Sequence, residues 1–252
     1  MMILVGQYDS PFVRRVAIAL RVLGFGYEHD TRSVFGDFDA MRTVNPLGRI
    51  PSLVLDDGEV LVDSAAILDH LNELVGPERA LLPARGLARR RALQVSALAA
   101  GAVDKFGAVA YEQIIRPAQY RWPDWIARCT TQGLGGLTAL ERLDWDVRGR
   151  LDDPRIMAAC LVNYVQLTNP GLMPVAAYPR LTALWQACEA LPEFVATQVQ
   201  DYAVPRGLGG ALATPPRRPF LVLRPGASTG WRRGRPWRST PRGFRARRCG
   251  LR

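Results

Sequence analysis

The order of apolar patterns in the first eighty residues limits this chain to a small set of folds. A short apolar strand at Ile3–Val5 and a second predicted strand at residues 27–32 are each followed by a predicted helix. Residues 50–55 and 59–62 are two apolar runs joined by an Asp-Gly turn, which predicts a β-hairpin. With a last helix after the hairpin, the order β-α-β-α-β-β-α predicts one mixed sheet with helices on both faces.

Local capping signals locate the helices of this region. Ser10-Pro11 predicts a helix start, because serine accepts hydrogen bonds from free amides and proline suits the first helical position. Gly24 predicts the end of that helix. We expect Arg14 and Arg15 to lie on other faces than the apolar stripe. Asp63-Ser64 predicts the start of the helix that follows the hairpin.

The rest of the chain divides into a linker, a helical region and a basic tail. Residues 77–86 are rich in proline and glycine and are interpreted as a linker. Residues 87–204 show apolar spacing of three and four without strand alternation, which predicts an all-α domain of four to six helices. The glycines of residues 133–136 are among the predicted helix breaks.

The net charge of +10 arises in the tail, residues 205–252. This tail holds thirteen arginines and no acid, which leaves 20 basic and 23 acidic groups in residues 1–205. Its Arg, Gly and Pro content without periodicity predicts a disordered segment that lacks a packed core. Three interpretations of the tail are possible. It could bind nucleic acid through its charge and the stacking of Trp231 and Trp237, it could be an inert appendage, or it could be an out-of-frame end of a GC-rich gene. The absence of a recognised binding motif argues against nucleic acid.

Other features exclude several classes of protein. The sequence contains no run of eighteen apolar residues, so we expect no membrane span. It also lacks a basic leader followed by a long apolar stretch, so we expect no signal peptide. The cysteines show neither metal-site spacing nor a disulfide framework: they are Cys129, Cys160, Cys188 and Cys249. We therefore expect no metal and a reduced, cytoplasmic compartment.

Three short motifs carry the functional signal. Ser10 opens SPFVR, where helix amides and the macrodipole favour an anion and the hydroxyl can donate to a thiolate. In NPLGRIPSL, a cis bond at Pro51 would turn the main-chain N–H and C=O of Ile50 towards a peptide-like ligand. Asp63 and Ser64 open DSAAIL and suit the ammonium and carboxylate of an amino acid. Taken singly, each motif is also explained by helix capping or by an ordinary trans proline.

The joint order and spacing of these motifs resembles the soluble glutathione S-transferases of the bacterial-like serine type, over about residues 1–200. The resemblance is specific in the first eighty residues and looser afterwards. It implies a thioredoxin-like domain over residues 1–80 that binds glutathione, followed by an all-α C-terminal helical domain over residues 87–204. The electrophilic co-substrate would bind between the two. The resemblance also implies a cytoplasmic homodimer that conjugates glutathione to a small, hydrophobic electrophile.

The resemblance assigns roles to individual residues. Ser10 would hydrogen-bond the glutathione sulfur, and Ile50 would pair its main chain with the cysteinyl portion beside a cis Pro51. Arg49 matches a position that is often lysine and would meet the glycine carboxylate. Tyr8 is a second candidate for the sulfur contact but matches the family pattern less well.

The γ-glutamyl end of glutathione would meet Asp63 and Ser64, with Asp63 where many members have glutamate. Because a cysteine at position 10 would suit thiol–disulfide exchange, Ser10 favours conjugation over reduction. The alternatives are a non-catalytic interaction protein with this fold, or a glutathione-dependent isomerase, reductase or ether-cleaving relative.

One departure from the family pattern concerns the helical domain. Members usually open a buried helix there with a capping box of serine or threonine followed by aspartate. The matching stretch here resembles Arg155–Cys160, which contains neither group. We therefore expect this helix to lack its N-terminal cap, at a cost of about 0.5–2 kcal/mol.

Overall fold

The first part of the chain forms the predicted mixed α/β layer. The computed structural model describes residues 1–200, so the predictions for residues 205–252 lie outside the described residues. The elements, in chain order, are β1 Met2–Val5, α1 Pro11–Leu23, β2 Tyr27–Asp30, α2 Phe38–Arg42, β3 Ser52–Val54, β4 Val60–Val62 and α3 Ser64–Val75. This is the order that the sequence predicts.

The sheet has four strands in the order β2-β1-β3-β4. Strand β1 pairs in parallel with β2 and antiparallel with β3, and β3 pairs antiparallel with β4. Leu4 and Leu53 are partners in the β1–β3 register, and both side chains are fully buried. The parallel β1–β2 pair belongs to the β-α-β unit, and the antiparallel β3–β4 pair is the hairpin, as expected from their connections.

Helix α1 is the central element between the sheet and the helical region. Its N-cap is Ser10, whose side chain accepts from the N–H of Val13 at 3.4 Å, and Gly24 ends it with a φ of 81°. The expectation that Arg14 and Arg15 lie away from the buried surface is wrong. Both are buried, because helices of the second layer cover this side of α1 and supply a carboxylate to each guanidinium.

The second layer is helical, as predicted. Its α-helices are α4 Gly86–Ile114, α5 Pro123–Glu141, α6 Asp153–Thr168, α7 Pro179–Glu189 and α8 Pro192–Val195. Helix α6 is apolar on most sides and packs against α1, α4 and α7. The hydrophobic core is therefore continuous from the sheet through α1 to α6.

The predicted helix break at residues 133–136 is wrong, because α5 continues through it. Gly133 and Gly136 are buried against α4. A Cβ at Gly133 would lie 2.8 Å from the ring of Phe106, and one at Gly136 would lie 2.9 Å from the Cβ of Ala102. These glycines do not end the helix but allow two helices to approach closely.

The predicted loss of a helix cap is also wrong. Helix α6 begins at Asp153, two residues before the stretch Arg155–Cys160, which lies inside the helix. Asp152 is the N-cap, and its carboxylate accepts from the N–H of Arg155 at 3.0 Å. An aspartate therefore supplies the cap in place of serine or threonine.

Candidate active site

A cleft of about 610 Å³ lies between the α/β layer and helices α4 and α6. Its α/β wall includes the start of α1, the segment before α2 and the loop before β3. Residues that line it from this side include Asp9, Ser10, Phe12, Ser33, Phe35, Arg49 and Ile50. Those from the helical side include Val103, Asp104, Tyr111, Ile114, Tyr164 and Leu167. The cleft is thus largely apolar, with a few polar groups near the end of β1.

Ser10 lies on the cleft wall at the N-terminus of α1. Its hydroxyl oxygen accepts from the N–H of Val13, and the hydroxyl hydrogen is left to donate elsewhere. The same helix end presents partly positive amide groups. This position can stabilise an anion in the cleft.

Ile50 and Pro51 follow the same wall, and the peptide bond between them is cis. Ile50 is half-buried and lines the cleft, whereas Pro51 is buried beneath it. Within residues 1–200, the main-chain N–H and C=O of Ile50 form no hydrogen bond with other main-chain groups. These groups can therefore pair with an extended ligand.

Arg49, Asp63 and Asp104 form a charged group at one side of the cleft. Arg49 and Asp104 line the wall, and Asp63 is the exposed N-cap of α3. Desolvation raises the pKa of the Asp104 carboxyl, the positive charges of Arg49 and Lys105 oppose this shift, and Asp63 adds to it. Both signs of charge are thus available to a ligand with charged ends.

Ser64, the first residue of α3, is buried and does not line the cleft. Its hydroxyl oxygen accepts from Nη1 of Arg15 at 3.1 Å. Arg15 in turn makes two hydrogen bonds of 2.8 Å to the carboxylate of Asp153, which also accepts from Ser96 at 2.6 Å. The start of α3 is therefore tied to α1, α4 and α6 through one buried polar network.

Asp9, which the sequence reasoning missed, lies directly before Ser10 and lines the cleft. Burial raises the pKa of its carboxyl to about 6, although main-chain N–H groups of Ser10 and Asp9 counteract part of the shift. An acid immediately before a predicted cap was the only available signal. Near neutral pH this carboxyl is mostly ionised.

Tyr111 and Tyr164 were also missed, because they come from helices far along the chain. Desolvation raises the pKa of both phenols, and the charge of Asp9 contributes to both shifts. The ring of Tyr111 meets Phe35 edge to face, with centroids 5.7 Å apart. This aromatic contact joins the two walls of the cleft.

Tyr8, the second candidate for a sulfur contact, is buried and outside the cleft lining. Its hydroxyl is 2.8 Å from the hydroxyl of Tyr27, and its ring stacks on His29 at 4.0 Å. These contacts assign Tyr8 to the packing behind β1.

The described residues offer no cluster of three or more His, Cys, Asp or Glu side chains suited to a metal ion. Over the same residues, every helix is too short or too polar to cross a membrane. Three cysteines there are free and buried: Cys129, Cys160 and Cys188.

Comparison with known proteins identifies the family. Residues 4–79 match the family described as "Glutathione S-transferase, N-terminal domain". The chain is 33% identical over 173 residues to the uncharacterized GST-like protein YibF of Escherichia coli K12, which covers 67% of this chain and 85% of that protein. The chain belongs to the glutathione S-transferase family.

Solved structures of glutathione S-transferases share this architecture. A glutathione transferase family member from Pseudomonas fluorescens Pf-5, crystallised with bound glutathione, has a TM-score of 0.72 and 31% identity, covering 79% of this chain and all of that one. The thioredoxin-like N-terminal domain and the helical domain after it are thereby confirmed. The maleylacetoacetate isomerase of Pseudomonas aeruginosa is 29% identical over 196 residues, which cover 74% of this chain and 91% of the isomerase.

Proposed function

We propose that this protein is a serine-type glutathione transferase, in which Ser10 activates the sulfur of glutathione for attack on a small hydrophobic electrophile. One observation carries the proposal: the Ser10 hydroxyl lies at the N-terminus of α1, on the wall of an apolar cleft, with its hydrogen available to donate. Residues 1–80 would bind glutathione, and residues 87–204 would supply the wall for the electrophile.

The neighbouring groups suit the rest of the tripeptide. The free main-chain N–H and C=O of Ile50, beside Pro51, would pair with the cysteinyl portion. Arg49 would meet the glycine carboxylate, and Asp63 the γ-glutamyl ammonium. Ser64 keeps its hydroxyl hydrogen while accepting from Arg15, so it can donate to the γ-glutamyl carboxylate.

The energies required for thiol activation are modest. Lowering the pKa of a thiol by about two units requires about 2.7 kcal/mol of preferential thiolate stabilisation. A hydrogen bond from Ser10 to an anion supplies about 1.5–3 kcal/mol, and the helix terminus adds about 0.3–1 kcal/mol. Ser10 and α1 are therefore sufficient without a general base.

The apolar lining of the cleft suits an apolar co-substrate. Phe12 and Phe35 line it from the α/β layer, and Ile114 and Leu167 line it from the helices. These side chains exclude water from a carbon held near Ser10. A carbon–sulfur bond forms there, the leaving group departs with its electron pair, and the thiol proton passes to solvent.

A glutathione-dependent isomerase is the second candidate, supported by the similarity to maleylacetoacetate isomerases. It would use the same sulfur contact at Ser10. The sulfur would add to a carbon–carbon double bond, the resulting single bond would rotate, and expulsion of the sulfur would restore the double bond. A non-catalytic binding protein with this fold remains the third candidate. For each of these functions we propose a cytoplasmic homodimer.

The test is the pKa of the glutathione thiol when bound, measured from thiolate absorbance against pH. We expect wild type to lower this pKa by about two units and Ser10→Ala to restore about one to two of them. Ser10→Thr keeps a hydroxyl and should retain part of the effect. An unchanged thiol pKa in Ser10→Ala would refute the role of Ser10. Glutathione binding without conjugation or isomerisation would support the non-catalytic alternative.

A further inference from the structure

Asp9 contributes a carboxylate without a cationic partner to the cleft wall. The residue is half-buried and precedes Ser10 at the end of the β1–α1 connection. In residues 1–200 it forms no ion pair, and main-chain N–H groups of Asp9 and Ser10 oppose only part of the rise in its pKa that burial causes. A ligand beside Ser10 therefore meets a negative charge that nearby side chains leave unbalanced.

The surrounding groups do not cancel this charge. Tyr111 of α4 and Tyr164 of α6 line the cleft opposite Asp9, and both phenols are neutral near pH 7, since their ordinary pKa of 10 is raised further by desolvation. Arg49, the cation among the residues that line the cleft, interacts with Asp104 and Tyr111. Asp9 therefore contributes a negative potential to the cleft beside Ser10, opposite in sign to that of the α1 N-terminus.

We propose that Asp9 selects the co-substrate by charge. It admits neutral electrophiles, and those with a cation or hydrogen-bond donor near the reacting carbon, and it excludes those with a carboxylate there. This inference rests on the proposed function, because it takes the sulfur of glutathione to lie at Ser10.

The size of the expected selection follows from the separation of charges. A carboxylate one or two carbons from the sulfur would lie within about ten ångströms of Asp9, in a cleft whose apolar walls limit screening by water. Repulsion of this kind reduces affinity by about tenfold or more. It also disfavours the isomerase alternative, because maleylacetoacetate is a carboxylate.

Two glutathione conjugates of nearly the same shape, which differ in charge and in hydrogen-bond donors, test the proposal. S-(2-carbamoylethyl)glutathione carries an amide, and S-(2-carboxyethyl)glutathione carries a carboxylate of nearly the same shape. Titration calorimetry on the full chain near neutral pH should show that wild type binds the amide conjugate at least about tenfold more tightly. Asp9→Asn should reduce this ratio to about twofold or less. Asp57→Asn makes the same change of charge at the exposed β3–β4 turn and should leave the ratio as in wild type.

A measurement on wild type alone does not depend on the folding of the variant. At about pH 5 the Asp9 carboxyl is largely protonated, whereas the propanoate of the acid conjugate is still mostly ionised. The preference for the amide should therefore shrink between pH 7.5 and about pH 5. Asp104 also has a raised pKa, so the Asp9→Asn variant is the control for the pH effect. If the ratio of the two affinities changes little with pH in this variant, the effect in wild type comes from Asp9.

The outcomes separate the two proposals. Equal affinities of wild type for the two conjugates, or a ratio that Asp9→Asn leaves unchanged, would overturn selection by Asp9 while the transferase proposal stands. Failure of wild type to bind glutathione itself would overturn both.

Discussion

Arg15 of α1 and Asp153 of α6 form a doubly hydrogen-bonded ion pair, with both distances 2.8 Å, between residues that are almost completely buried. Ser96 donates to the same carboxylate, and Ser64 accepts from the same guanidinium. The pair thus connects the start of α3, beside the charged side of the cleft, to two helices of the second layer.

Asp153→Ala is expected to lower the free energy of unfolding by about 3–5 kcal/mol, because it leaves the guanidinium of Arg15 buried without a counter-charge. Urea denaturation monitored by circular dichroism measures the change. Replacing the pair by Arg15→Met and Asp153→Leu together should cost less than Asp153→Ala alone, since no buried charge remains.

The exposed pair of Arg89 and Asp69 is the control, because it joins the same residue types at 3.1 Å. Its Asp69 side chain is 72% exposed. Asp69→Ala should therefore cost about 0–1 kcal/mol. A loss as large as that of Asp153→Ala would show that burial is not the cause.

Two glycines of α5 should respond to alanine in opposite directions. Gly133→Ala brings a methyl group against the buried ring of Phe106 and should lower stability by about 1–3 kcal/mol. Gly135 is exposed with open space around its Cβ position, so Gly135→Ala should raise stability by about 0.5–1 kcal/mol. Thermal and urea unfolding of the two variants check the signs, and a gain from Gly133→Ala would mean that α4 and α5 pack less closely than described.

The carboxyl of Asp9 should make stability depend on pH. Its pKa of about 6 in the folded protein exceeds the ordinary value of 3.8, so the folded state binds the proton more tightly than the unfolded state. This contribution is present below about pH 4 and is lost as the pH rises through about 6. Asp9→Asn should therefore stabilise the protein by about 1–3 kcal/mol at neutral pH and by almost nothing near pH 4. Urea denaturation across this range measures the difference, and a constant offset would contradict it.

Tyr8→Phe separates the two candidates for the sulfur contact. Because the Tyr8 hydroxyl bonds Tyr27 behind β1, its loss should cost about 1 kcal/mol of stability and change kcat/KM by about twofold or less. Ser10→Ala should reduce kcat/KM by about ten- to a hundredfold, with loss of one hydrogen bond to the thiolate. Steady-state kinetics with glutathione and an aryl halide compare them, and the reverse ranking would move the sulfur contact to Tyr8.

Much of the first domain could be predicted because its signals are local. Ser10 and Gly24 bracket α1, and the Asp-Gly turn fixes the hairpin, so neighbouring residues alone determine these features. The close approach of α4 and α5 depends on what faces Gly133 across the interface. A glycine signal has opposite meanings in a turn and at a helix contact, and only tertiary structure distinguishes them.

The candidate site was predictable on one wall. The motifs that contain Ser10 and Ile50 lie in short segments at strand ends, where sequence order already implies proximity. Tyr111 and Tyr164 reach the cleft from two separate helices, and no spacing relates them to Ser10. The burial of Arg14 and Arg15 was missed for the same reason. Their carboxylate partners, Glu189 and Asp153, lie more than a hundred residues away in the sequence.

Arg14 and Arg15 follow Ser10 within two turns of α1, and their ion pairs join that helix to α7 and α6. A sulfur bound at Ser10 and the helices that would orient its target would thus be connected through the same two ion pairs. Side chains of α4 and α6 that line the cleft, such as Tyr111 and Tyr164, can therefore be exchanged without altering these ion pairs.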